Sequence, residues 1–142
     1  MTSDHEEPQP PILSYFELTK GNSGATTIRQ VSLTGFQSDS LGGLAAPSWI
    51  RNVSGEFQNV SFVWMPIGWV GEWHESPHPQ WVVALQGRWF IETQDGARVE
   101  MGPGELHWGA DQATNVIDGH LGHRSGQLGT DACLLMMVQR TR

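Results

Sequence analysis

The run Gly71–Gly104, GEWHESPHPQWVVALQGRWFIETQDGARVEMGPG, limits the possible folds more than any other part of the chain. Within it, Gln80–Gln86 and Arg88–Gln94 are short runs rich in Trp, Val, Phe, Ile and Thr, separated by Gly87 and closed by Asp95-Gly96. β-Branched and aromatic residues framed by turn residues favour strands, so the two are expected as consecutive antiparallel strands of a meander. A third strand, Ala97–Met101, then reaches Gly102-Pro103-Gly104, which reverses the chain before a fourth, Glu105–Gly109. Side chains alternate between the faces of a strand, so His74, Ser76, His78 and Gln80 share one face where the segment is extended. Pro77 and Pro79 fall on the other parity and cannot donate to a ladder, which makes this segment a stiff rim beside a sheet edge.

The flanks carry the same signals. Ile12–Leu18 and Thr26–Leu33 read as strands joined by the turn Gly21-Asn22-Ser23-Gly24, and Asn59–Met65 as another. Ser38–Pro47 reads as a loop, and so does the long, weakly patterned stretch Ala110–Gly129, which holds His120 and His123 among glycines. Thr130–Gln139 is apolar on both parities, as is Gln80–Leu85, so each strand is expected to be covered on both faces. One face would line the interior, and the N-terminal strands or a second subunit would cover the other. A homodimer is therefore expected.

The bulk numbers set bounds on class. A chain of 142 residues suits one domain, with 1–11 an acidic, Pro-rich tail that includes a solvated His5 and 12–142 the folded domain. The 17 glycines and 7 tryptophans, with no sustained helical periodicity, point to an all-β protein. Eight Lys and Arg against 15 Asp and Glu leave a net charge of -7, without the cationic field that would attract a phosphate backbone, so nucleic-acid binding is not expected. No run is long and apolar enough for a membrane helix or a secretion signal, and a cytoplasmic protein without membrane contact is expected. The lone Cys133, flanked by Leu134, is read as a small buried hydrophobe.

Trp73-His74 followed by Gln80, Gly87, Asp95-Gly96, Gly102-Pro103-Gly104-Glu105 and Gly122-His123-Arg124 resembles the cupin superfamily, small jelly-roll β-barrels, from about Phe62 to Val138. The family pattern has two histidines one residue apart, then an acidic residue and a glycine, and later a Pro-Gly turn followed by another histidine. His74 matches the first histidine, Gln80 the acidic position, Gly87 the glycine and His123 the late histidine. The second histidine position falls on Ser76. Asp111 occupies an acidic position of the family, and His120 is a rival for the late histidine.

The resemblance implies a small-molecule enzyme with one divalent transition metal, Fe, Zn, Ni, Cu or Mn, held by His74, His78, Gln80 and His123, with His78 standing in for the missing second histidine by parity. His78, His123 and Glu75 are the candidate acids and bases. Trp69, Trp73, Gln80 and Trp108 are the candidate contacts to a compact aromatic or polyketide-like substrate that would be oxygenated, isomerised or cyclised. His107 is expected to be structural or at the surface rather than a ligand. A pocket with no metal, in which a histidine moves the proton, and a non-enzymatic protein that binds a small ligand are the alternatives.

Overall fold

The computed structural model describes residues 9–140, so His5 and most of the expected tail lie outside the described residues. The chain is all-β. Its strands are β1 (Leu13–Lys20), β2 (Thr26–Leu33), β3 (Gln37–Asp39), β4 (Ser48–Ile50), β5 (Phe57–Met65), β6 (Gln80–Gln86), β7 (Arg88–Thr93), β8 (Arg98–Met101), β9 (Leu106–Ala110), β10 (His123–Leu128) and β11 (Cys133–Arg140). They fall into two compact units, one containing Ser32–Ser54 and the other Tyr15–Val31 with the chain from Gly55 onward. Among the described residues the smaller unit holds the β3–β4 pair, two three-residue strands at either end of the loop expected over Ser38–Pro47.

The larger unit has a six-stranded sheet in the order β2-β1-β9-β6-β11-β5 and a three-stranded sheet in the order β10-β7-β8. One core serves both. Leu18, Ile28, Met65, Val82, Ala84, Cys133 and Leu135 come to it from the first sheet and Trp89, Ile91 and Met101 from the second, so it lies between them. Neither sheet closes on itself, and the expected closed barrel is replaced by two open sheets. The pairing of β1 with β9 is parallel, from Phe16 opposite His107 to Thr19 opposite Ala110. The N-terminal strands thus extend the larger sheet sideways.

The expected meander is the first correction: of its four strands only β7 and β8 pair in sequence, and β8 and β9 lie in different sheets on either side of Gly102-Pro103-Gly104. β6 and β7 do not pair; they belong to different sheets, and Gly87 turns the chain from one to the other. A single residue is too short for a hairpin loop, whose shortest common form has two residues. Gly87 sits at φ 74°, and a Cβ there would come within 2.3 Å of the Ala132 carbonyl oxygen. Only glycine supplies this corner. The β7–β8 hairpin at Asp95-Gly96 forms as expected, with Gly96 at φ 88°. The second correction is β10. His123–Leu128 pairs along β7 within the stretch read as one long loop, and a tight turn at Asp118-Gly119, bridged by Ile117 and His120, takes up much of the remainder.

Replacing Gly87 with Ala adds a forbidden φ and a backbone collision, so the variant should lose about 3 kcal/mol or more of unfolding free energy. Urea unfolding followed by tryptophan fluorescence measures it, with Gly96→Ala as a reference that meets no atom within 4 Å at its Cβ.

Candidate active site between the sheets

The segment 69–76, which leaves β5 through the bend at Pro66–Gly68, lies along β10 as an irregular neighbour. Gly71 N–H donates to Ser125 O, and His74 and His123 exchange both backbone bonds at 2.9 Å. The pairing is close because position 122 is glycine: with φ 71°, a Cβ there would fall 2.2 Å from the His74 carbonyl oxygen. His74 and His123 therefore stand side by side, their ring centroids 4.7 Å apart. Two imidazoles from distant parts of the chain converge, as the motif spacing implied.

Behind them lies a cavity of about 340 Å³. Its walls are apolar at Met65, Val82, Leu135 and Met137, with Trp69 and Trp89 adding flat surfaces. His74, Gln80, His107 and His123 line it as well. This is the size and mixture of a small-molecule pocket: mostly apolar walls and a few convergent polar groups.

Asp111, at the end of β9 and fully buried, organises the polar side. Its Oδ2 lies 2.6 Å from His123 Nδ1, and its Oδ1 accepts the Ser76 N–H at 3.0 Å. Burial alone would raise this carboxyl, but the His123 hydrogen bond and charge, with the bonds from Ser76, outweigh it and hold it below the usual carboxylate range. An ionised carboxylate only accepts, so His123 Nδ1 bears a proton, and in the neutral ring the lone pair is then on Nε2. His74 follows the same logic: its Nδ1 donates to the Glu72 carbonyl oxygen at 2.8 Å, which leaves its Nε2 basic. Ser76, at the second histidine position, thus anchors the carboxylate through its backbone and is itself held by Gln112 Nε2 on its carbonyl.

His107 faces inward. The expectation of a structural or surface residue rested on where histidines are usually found; the structure buries this one in the lining of the cavity. His107 is 2% exposed, lies tilted against Trp89 with ring centroids 5.3 Å apart and leaves Nδ1 without a partner among the described residues. Burial, then the nearby His123, only partly opposed by Asp111, push its pKa down to about 3. It is neutral at pH 7.

The other expected site residues are distributed as follows. Trp69 and Gln80 line the cavity, and Gln80 Oε1 accepts from Gln139 Nε2 at 2.8 Å. His78 is exposed and does not line the cavity. The Glu75 carboxylate accepts the Thr114 N–H, away from the cavity lining. Trp108 lies on the outer face of the larger sheet, against Trp81 and Phe57. Trp73 stacks on the exposed His120 at 4.8 Å and borders a separate cleft with Glu92, Arg98 and Ile117. His107, not counted among the expected site residues, joins the lining, and Asp111, noted for its family position as a carboxylate able to tune an imidazole, is the organiser. A transition metal requires three or four converging donors. Among the described residues no three His, Cys, Asp or Glu side chains come close enough to hold one ion, so the expected set does not fit a metal as it is placed.

No protein-family model matches the chain, and no curated protein does. Among solved structures it is similar to the crystal structure of protein NMB1881 from Neisseria meningitidis, at 17% identity and a TM-score of 0.42, over 65% of this chain and 88% of that one. No described helix is long and apolar enough to cross a membrane.

The buried imidazole carries a pH signature. The unfolded chain protonates His107 near 6.5 while the folded chain does not until about 3, so stability is unaffected above the first value and falls as pH drops between the two. From pH 6.5 to 4.5 this should cost about 2–3 kcal/mol. Denaturant titrations of wild type and His107→Leu at both pH values should find the loss in wild type and a correspondingly smaller one in the variant.

Proposed function

We propose that the chain is a cupin-type jelly-roll enzyme that moves a proton on a compact, largely apolar carbonyl compound, with His123 as the acid–base group. The observation that carries this reading is the buried Asp111–His123 pair opening on a cavity of about 340 Å³. Asp111 fixes the tautomer and favours the imidazolium that forms when Nε2 takes a proton. His74, with its own Nε2 lone pair beside it, is the partner that accepts or returns a proton on the next step. Trp69 and Trp89 offer flat walls to a planar substrate, and Gln80 a hydrogen bond. Isomerisation or cyclisation through an enol is the reaction class this arrangement suits. Expulsion of water by the apolar walls would strengthen each polar contact in the site.

The test needs no known substrate. A panel of enolisable aromatic and aliphatic ketones is incubated with the protein in D2O, and deuterium incorporation is followed by NMR. Exchange above buffer background is expected for some members. It should fall on the order of 10²-fold or more in His123→Ala and by a comparable factor in Asp111→Asn, where the wrong tautomer is favoured. EDTA treatment should leave it unchanged. Loss of exchange on chelation, with recovery on adding a divalent metal, would move the activity to a metal enzyme. Binding without exchange, seen as a tryptophan fluorescence change, would favour a ligand-binding protein.

A further inference from the structure

We infer that a row of three amides fixes Gln80 as a hydrogen-bond donor to the substrate oxygen, with Gln139 and Asn59 as the positioning residues that hold it in that sense. The inference rests on the ketone reading above and adds to it the polarity of the oxygen site. Strand register builds the row. Gln139 lies opposite Gln80 on one side and opposite Asn59 on the other, so the three side chains stand abreast on β6, β11 and β5. They lead from the exposed Asn59, through the half-buried Gln139, to Gln80, which is 5% exposed and lines the cavity.

The hydrogen bonds give the row a direction. Asn59 Nδ2 donates to Gln139 Oε1 at 2.6 Å, and Gln139 Nε2 donates to Gln80 Oε1 at 2.8 Å. With its oxygen turned to Gln139, the Gln80 amide offers its two N–H groups, which no acceptor takes among the described residues. His107 reaches the same place from the next row. The point where a Gly109 Cβ would stand is 3.4 Å from His107 Nε2 and 3.6 Å from Gln80 Cγ, so glycine at this position leaves the two side chains adjacent. His107 Nδ1 is sealed without a partner, and buried N–H groups are almost never left unpaired, so the neutral ring carries its proton on Nε2.

Two neutral donors thus meet at one end of the cavity, and its lining contains no lysine or arginine. When His123 Nε2 takes the proton next to the carbonyl, the C–H pair becomes the new C=C bond and the carbonyl π pair moves to the oxygen. Gln80 and His107 face the charge that gathers there, and donors fixed in advance in an apolar site are worth most at that moment. The direction of the row also sets specificity. A ligand group that accepts is matched by Gln80, whereas one that only donates meets N–H groups and leaves them unpaired.

Equilibrium dialysis of the full chain compares indanone, which only accepts, with indole, which only donates. Wild type should hold indanone at least about tenfold more tightly. In Gln139→Glu the carboxylate cannot donate, so the Gln80 amide turns its oxygen inward and the preference should reverse. Asn59→Asp reverses the row from its exposed end, two hydrogen bonds from the cavity, and should shift the preference the same way, which a merely structural role would not do. NMR of the free protein needs no ligand: scalar coupling across the hydrogen bond should link the side-chain nitrogen of Gln139 to the amide carbon of Gln80. Coupling in the opposite sense, or variants that keep the wild-type preference, overturns the inference. Deuterium exchange separates it from the reading beneath it. A preference that reverses while no ketone exchanges keeps the amide row and removes the enolisation; exchange with unchanged kcat/KM in Gln139→Glu removes the row and keeps the enolisation.

Discussion

One buried carboxylate holds the working end of the molecule together. Asp111 follows β9, yet its two oxygens reach the backbone of Ser76 and the ring of His123, so three stretches far apart in the chain meet at a single charged group. Removing a carboxylate from water costs several kcal/mol, and only charge-assisted bonds of good geometry offset it. The consequence is positional. With Ser76 and His123 fixed to the same anchor, the segment 69–76 is pinned against β10, and the imidazole of His74 is held beside its neighbour. Gly109 contributes by omission, since a Cβ at that position would sit 2.9 Å from the Ser76 hydroxyl oxygen.

The cavity owes its character to where this polar anchor stands. Most of the space between the sheets is filled by aliphatic and aromatic side chains, and the polar groups occupy one end of it. His107, more buried than His123 and with one nitrogen unpaired, is kept neutral, while His123 stands against a carboxylate. A carboxylate-backed imidazole at the edge of an apolar chamber is the arrangement from which the proton-transfer proposal was built.

Much of the fold was legible in the sequence because strands announce themselves by residue type and turns by glycine. Gln80–Gln86 and Thr26–Leu33 have the bounds expected, and the Asp95-Gly96 hairpin stands where its dipeptide implied. Partnering was less legible. Gly87 gave a sound turn signal, but nothing local distinguishes a hairpin from a corner that sends the next strand to another sheet; the collision of a Cβ with Ala132 exists only in three dimensions. β10 was missed because HRSGQL lacks β-branched residues and owes its extended form to the β7 ladder. At the site, His74, Gln80 and His123 were singled out by the resemblance of their motifs to a known family and Trp69 by its closeness to them, and all four line the cavity. That His107 lines the cavity, and that Asp111 bonds both His123 and Ser76, depend on long-range contacts that no local pattern encodes.

The parallel union of β1 with β9 bears on how the chain reaches this state. β1 can pair at once with β2, but every strand from β2 to β8 is synthesised before β9 exists, so the β1–β2 pair joins the larger sheet late. Until then its open edge waits in a chain that already contains the exposed apolar strand β5. Completion of the larger sheet is thus tied to the second half of the chain.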